Sequence, residues 1–241
     1  MRIAVISDIH ANLHALEAVL AAIDASGVDE LWCLGDVVGY GPKPNECVAL
    51  LRERSSICLA GNHDLVVLGK IDLSAFAGEA AAAAAWTRTV LDSDSVEFLA
   101  GLEPSGRAAA TALFHGSARD PIWEYVVGDR SAFQTFKATT EPLVLVGHSH
   151  IALELSDNAR RRGGRAPVGT QVELAGPRRI LNPGSVGQPR DGDPRPAWLV
   201  IDDEAARATF CRIDYPIEST QAEMRALHLP EVLAERLAHG V

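Results

Sequence analysis

Five of the chain's eight histidines sit in short polar segments, each directly after an apolar run. Asp8-Ile9-His10 follows RIAVIS, Gly35-Asp36 follows ELWCL, and Gly61-Asn62-His63-Asp64 follows SICLA. His115-Gly116 follows ATALF, and Gly147-His148-Ser149-His150 follows LVLV. Taken singly these segments are ordinary: Asp-x-His and Gly-Asp make turns and caps, and Asn, Gly and Asp are common loop formers. The ordered set of five is another matter. Asp8, His10, Asp36, Asn62, His115, His148 and His150 offer carboxylate oxygen, amide oxygen and imidazole nitrogen, without a thiolate. Such a hard-to-borderline set suits manganese foremost, and also iron, zinc, nickel or cobalt. His148 and His150, two apart, fall on one side of an extended segment. One ion takes roughly 4–6 ligands including water, too few to use seven groups. Two divalent ions ~3.5–4 Å apart, sharing one carboxylate, use them all.

The elements that must position these groups are legible in the apolar pattern. Arg2–Ser7, Glu30–Leu34 and Ser56–Ala60 read as buried strands. Helices at Leu13–Ile23, with Asn12 as N-cap, and at Pro44–Arg54 separate them. Strand alternating with helix implies right-handed crossovers and a parallel sheet. In an open α/β sheet, ligands gather at the carboxyl ends of the strands, so the five segments are expected to meet at one sheet edge. Residues 64–101 read as a helix-rich insertion with an alanine block, Ala80–Ala85, as a packed helix or a movable cap. Ala110–Phe114 and Leu143–Val146 are further strands, with a helix near Ser131–Lys137 between them. Beyond residue 150, strand-like runs at Ile151–Leu155, Thr170–Leu174, Arg179–Leu181, Ala197–Ile201 and Ala208–Ile213 are divided by turn residues, which predicts antiparallel or mixed pairing. Helical stretches near Glu218–Leu227 and Glu231–His239 close the chain. Arg160–Arg165 (RRRGGR) reads as a solvated hairpin tip or an anion contact, and Asn182–Gly187 as a tight turn or a pocket wall.

Composition sets the bounds. The chain has 241 residues, 47% of them hydrophobic, and a formal net charge of −10. That length and apolar content fit a single domain over 1–241. The acidic balance disfavours a nucleic-acid polymer or an anionic membrane as partner, although RRRGGR keeps a nuclease in view. Four scattered cysteines form no CxxC pair, which argues for free thiols in a reducing compartment. The first ten residues lack the charged and apolar regions of a signal peptide, and no apolar run approaches ~20 residues, so a cytoplasmic location is expected.

In order and type, the five segments resemble the motifs of the calcineurin-like metallophosphoesterase superfamily, over residues 8–150. Within it the chain is similar to small prokaryotic phosphodiesterases, through His115-Gly116-Ser117 with Arg119-Asp120-Pro121, and Asn182–Gly187 with Gln188-Pro189-Arg190. The resemblance implies an α/β fold: a four-layer α/β/β/α sandwich with two mixed sheets. It implies that Asp8, His10 and His150 bind one metal, that Asn62, His115 and His148 bind the other, and that Asp36 bridges them. It further implies that His63 is no ligand and acts on the ester. The expected chemistry is attack on phosphorus by a metal-bridging hydroxide, with His63 as the acid for the leaving group. Asn62, His63 and Arg190 would contact a small phosphate-ester substrate. Two divalent ions, two carboxylates and hydroxide leave a charge of roughly +1, which leans toward a diester over a monoester. The chain departs from the superfamily's protein phosphatases, because Val38-Gly39-Tyr40-Gly41 stands where they carry Asp-Arg-Gly. The phosphate-gripping arginine of that segment and the aspartate that orients the catalytic histidine are both missing, which leaves open what orients His63. A scaffold of the same fold without catalysis is the rival of a different class.

Overall fold

In the computed structural model the described residues are 1–158 and 163–241. They form an α/β structure of two six-stranded mixed sheets and eight α-helices. The first sheet contains β1 (Arg2–Ile6), β2 (Glu30–Cys33), β3 (Ile57–Cys58), β9 (Gln171–Glu173), β11 (Ala197–Asp202) and β12 (Arg207–Arg212), in the order β3-β2-β1-β11-β12-β9. The second contains β4 (Ser105–Ala108), β5 (Thr111–Phe114), β6 (Leu143–Val146), β7 (Leu153–Ser156), β8 (Gly163–Arg165) and β10 (Arg179–Asn182), in the order β4-β5-β6-β10-β7-β8. Parallel pairs, β1 with β2 and β5 with β6, carry the segments singled out above.

Period-two alternation produces the layers. Ile3 and Val5 of β1, Leu199 and Ile201 of β11, and Leu143 and Leu145 of β6 meet in one core between the sheets. The intervening residues face outward under helices. Ala4, Ile6, Trp198 and Val200 pack beneath α1 (Leu13–Ser26) and α2 (Pro44–Arg54). Val144 and Val146 pack beneath α6 (Asp129–Ala138) through Ala132 and Phe136. Each fully buried leucine or isoleucine in these layers contributes about 1.5–3 kcal/mol of transfer free energy. Helix α1 starts where the Asn12 side chain accepts the Ala15 amide at 3.3 Å, and it stops at Gly27 in the left-handed region. Pro44 opens α2, where its missing N–H costs nothing.

The helix-rich stretch resolves into α3 (Asn62–Val67), a 3₁₀ turn at Leu73–Ala75, α4 (Gly78–Val90) and α5 (Ser93–Ala100). The alanine block lies in α4. Ala83 and Ala84 are fully buried: Ala83 packs with Met224, Leu233 and Leu237 of α7 (Ile217–Ala226) and α8 (Glu231–Leu237), and Ala84 joins the core beneath α1 and α2. Two elements differ from expectation. Strand β4 has no apolar pattern because it is a largely exposed edge, paired antiparallel with β5. Gly163–Arg165, expected in a hairpin tip, is an edge strand on β7, while Arg160–Arg162 lie outside the described residues.

Candidate metal centre

The carboxyl ends of β1, β2 and β3 in one sheet face those of β5 and β6 in the other, so the five segments meet across two sheets and not at one sheet's edge. The turns that follow these strands are sharp. Asp8, His10, Ala11, Asp36, Tyr40, His148 and His150 all adopt left-handed backbone, with φ between 49° and 64°. Non-glycine residues there cost on the order of 1–3 kcal/mol each, so surrounding structure must hold them. The Asp8 amide donates to Gly35 O (2.9 Å), and the Ile9 and His10 amides to Asp36 O (2.8 and 2.9 Å). The Gly147 amide donates to His115 O at 2.8 Å. From beneath, the Val186 and Gly187 amides donate to Ser7 O and Asp8 O, and Ser185 Oγ to Asp8 O. The Asn182–Gly187 loop is therefore a brace under the first segment. Gly187 allows this, since a Cβ there would lie 1.9 Å from Ile9 O.

These turns bring the seven side chains into two buried clusters. Asp8, His10, Asp36 and His150 form one; Asp36, His115 and His148 form the other. Asn62 joins the second through Oδ1, 3.1 Å from His115 Nε2. Asp36 Oδ2 stands 3.6 Å from His10 Nε2 and 3.4 Å from His115 Nε2. Asp8 Oδ1 stands 3.4 Å from His150 Nε2.

Two observations show that the clusters fit metal ions. Asp8 Oδ1 and Asp36 Oδ2 are buried without a hydrogen-bond partner, a costly state for a carboxylate unless a cation meets it. The imidazoles are also preset. His10, His115 and His150 point Nδ1 at the carbonyls of Val38 (3.2 Å), Leu34 (2.9 Å) and Gln188 (2.6 Å). A carbonyl only accepts, so Nδ1 carries a proton in all three; Nε2 of His10 and His150 presents a lone pair, and that of His115 does so once its second proton is released. His10 and His150 Nε2 are 3.0 Å apart. Two lone pairs at that distance repel, whereas two nitrogens at right angles on one ion, at bond lengths of about 2.1 Å, sit about 3.0 Å apart. His148 is turned the other way: Nε2 faces Trp123 O at 3.2 Å, which frees Nδ1.

Charge follows burial. Burial pushes the Asp8 carboxyl up to about 7 and holds His10 and His150 well below the imidazole range. Burial, then the neighbouring His115 charge, presses His148 down to about 3. Burial alone would lower His115 and raise Asp36, but their mutual attraction outweighs it. His115 rises to about 9 and Asp36 falls well below the carboxylate range.

His63 lies outside both clusters. Its amide donates to Asp36 Oδ1 at 2.8 Å, while its Nδ1 has no partner. The ring is held by aromatic neighbours: Tyr40 and Phe76 each at 4.4 Å and His10 at 4.8 Å between centroids. Aromatic packing replaces the absent orienting aspartate. Asp64 turns away and accepts the amides of Gly61, Val37 and Val38, splicing the second and third segments together. Arg190 reaches the Tyr40 hydroxyl (3.4 Å) and Gln188 Oε1 (3.1 Å), and its Nε is unpaired. His63 and Arg190 share one cavity of about 190 Å³ with Asp36, Asn62, His148 and His150. A larger hollow of about 730 Å³ beside α6 holds none of these groups.

Sequence reasoning missed Trp123, whose carbonyl fixes His148, and Tyr125, whose ring lies on it. A carbonyl contact has no residue-type signature, and inside the apolar run Ile122–Val127 (IWEYVV) nothing sets the two rings apart from core residues.

Two mixed sheets with histidine–aspartate clusters at facing strand ends define a metal-dependent phosphoesterase frame. The chain belongs to the calcineurin-like phosphoesterase superfamily, whose domain profile matches residues 1–204. It is 42% identical in sequence to a metallophosphoesterase from Sphaerobacter thermophilus of known crystal structure, covering 100% of this chain and 99% of that one, with a TM-score of 0.91. It is also 37% identical to the uncharacterized protein MJ0912 of Methanocaldococcus jannaschii, over 99% of this chain and 98% of the relative. The hypothetical protein PH1004 of Pyrococcus horikoshii OT3, 19% identical, shares the fold with a TM-score of 0.81 over 100% of this chain and 98% of its own.

Proposed function

We propose that this protein hydrolyses small phosphodiesters with a pair of divalent transition-metal ions. The observation that carries the reading is Asp36, a buried carboxylate common to both clusters, with one oxygen that lies between His10 and His115 and has no hydrogen-bond partner. Asp8, His10 and His150 would hold one ion, Asn62, His115 and His148 the other, and Asp36 both. Manganese heads the ions this donor set suits, with iron, zinc, nickel and cobalt behind it. When bound, such a pair lowers the pKa of water and offsets charge on phosphoryl oxygens.

The chain's own residues supply the rest. Arg190, whose side chain lines the cavity, binds a non-bridging phosphoryl oxygen. Burial lowers His63 to about 4, so it is neutral at pH 7 and donates a hydrogen bond from its ring N–H to the ester oxygen that leaves, while water supplies that oxygen's proton. Tyr40 and Phe76 hold that ring in place. The roughly +1 left on the metal centre matches the single charge of a diester, while Arg190 adds the charge that a monoester dianion would need, so the two ester classes are compared directly in the assay. Among the described residues no helix is long and apolar enough to cross a membrane, which is consistent with a small dissolved substrate.

The test is to strip the protein with chelator, restore Mn, Fe, Zn or Ni, count metals, and assay bis-p-nitrophenyl phosphate beside p-nitrophenyl phosphate. About two ions per chain and faster diester turnover are expected. Metal binding without turnover of either ester would leave a scaffold, and binding of one ion would break the bridging role of Asp36.

A further inference from the structure

The cavity wall is aromatic, and only part of that is explained by the metal centre. Tyr40, Phe76, Trp123 and Tyr125 all line it, including two of the chain's three tyrosines. Tyr40 and Phe76 pack on His63. Trp123 and Tyr125 are different: they are 37% and 48% exposed, whereas Trp32 and Trp198 in the core are 4% and 5% exposed. Both rings are nevertheless fixed. Tyr125 lies flat on His148, with centroids 4.1 Å apart and planes within 5°. One face is covered by the imidazole, so its exposure belongs to the other face. Trp123 meets the Phe76 ring edge-on at 6.1 Å, and its backbone carbonyl is tied to His148. From Trp123 to Val127 the odd positions are exposed while Val126 is buried, which sets both rings on the solvent side of this loop. Two pinned, half-open aromatic faces at the mouth of a catalytic cavity give the fold little burial in return.

We propose that Trp123 and Tyr125 form a stacking platform for a flat aromatic group on the substrate. The substrate class is then a phosphodiester whose retained alcohol carries a nucleobase or an aryl ring. This rests on the reading of the cavity as a phosphodiesterase site. Size agrees: about 190 Å³ admits the phosphate but falls short of the roughly 300–1,000 Å³ of cavities that enclose whole drug-sized ligands. A ring must therefore rest at the mouth, where the open faces are. Arg190 is the single guanidinium lining the cavity among the described residues, so phosphate and ring would be recognised separately. Stacking accepts any flat ring, because every base or aryl group has a π face, and preorganised rings lose little entropy on binding.

The experiment uses the whole metal-loaded protein and three diesters that all expel p-nitrophenolate: thymidine 5′-(p-nitrophenyl phosphate), phenyl p-nitrophenyl phosphate and methyl p-nitrophenyl phosphate. With a common leaving group, differences in kcat/KM report the retained group. The ring-bearing esters are expected to exceed the methyl ester by about ten-fold, chiefly through KM. Preference for the thymidine ester alone identifies a nucleobase as the occupant, and preference for the phenyl ester alone identifies a simple aryl ring. Replacing both rings, Trp123→Ala with Tyr125→Ala, should bring the ratio close to one, while Trp123→Phe and Tyr125→Phe keep it. Should the alanine variant fold poorly, inhibition of the wild type decides: thymidine 5′-phosphate should bind about ten-fold tighter than methyl phosphate. Equal rates on all three esters overturn the platform and leave the phosphodiesterase standing, as does an alanine variant that retains the ratio. Failure to hydrolyse any of the three overturns the phosphodiesterase reading, and the platform with it.

Discussion

Gly187→Ala probes the frame of the metal centre without touching a ligand. The added Cβ would stand 1.9 Å from Ile9 O and 2.5 Å from Ile9 C, both backbone atoms of the Asp8–His10 turn. To open even to 3.0 Å the contact must widen by about 1.1 Å, and no flexible side chain is there to absorb the change. The Gly187 amide also donates to Asp8 O at 2.9 Å, so the turn cannot move off without losing its brace. Metal ligands tolerate displacements of about 0.2 Å, five times less than the required shift. Loss of an outer support typically costs 10–100-fold in metal affinity or activity, and a misplacement near 1 Å about 100-fold in rate. We therefore expect metal affinity at the Asp8–His10–His150 cluster to fall at least tenfold and kcat/KM on bis-p-nitrophenyl phosphate about 100-fold. Metal titration followed by mass spectrometry of bound ions, with rate measurement at saturating metal, reads both. Full metal content with activity within two-fold of wild type would refute the reasoning, because the brace would then not position the ligands.

Asp36→Asn should lower binding at both clusters and cut turnover by about 1,000-fold or more, read by metal counting; loss of one ion with the other held tightly would show that Asp36 is not shared. His63→Ala should keep the metal content while slowing esters with poor leaving groups by roughly 10²–10⁴; a variant that loses its metals would make His63 a ligand. In the metal-free protein His115 holds its proton up to about 9, and a ligand must release that proton to bind. Metal uptake at pH 8 should therefore expel about one proton, with affinity rising with pH until about 9. Calorimetry in two buffers of different ionisation enthalpy measures this, and zero protons released would contradict the His115–Asp36 pairing.

Much of the centre was legible because metal chemistry restricts residue type. Seven ligand-type side chains after apolar runs are visible without coordinates, as are β1, β2, β6 and β11. The pattern could not show that the strands belong to two sheets, since β1 and β6 look alike as apolar runs and only pairing separates them. Strand β4 and the Gly163–Arg165 strand were hidden because exposed edges bury too little to leave an apolar signature. The orientation of His63 was hidden for a different reason. It comes from the rings of Tyr40 and Phe76, which meet only after the chain between them folds back.

Each candidate metal cluster draws its side chains from both halves of the sandwich: Asp8, His10 and Asp36 against His150, and Asp36 against His115 and His148. An ion seated there would act as a rivet through the seam between the sheets. Filling it at 100 times its dissociation constant would stabilise the fold by about 2.7 kcal/mol. Chelation should then loosen the join between the layers first, with amide exchange quickening along β1 and β6 ahead of the outer helices.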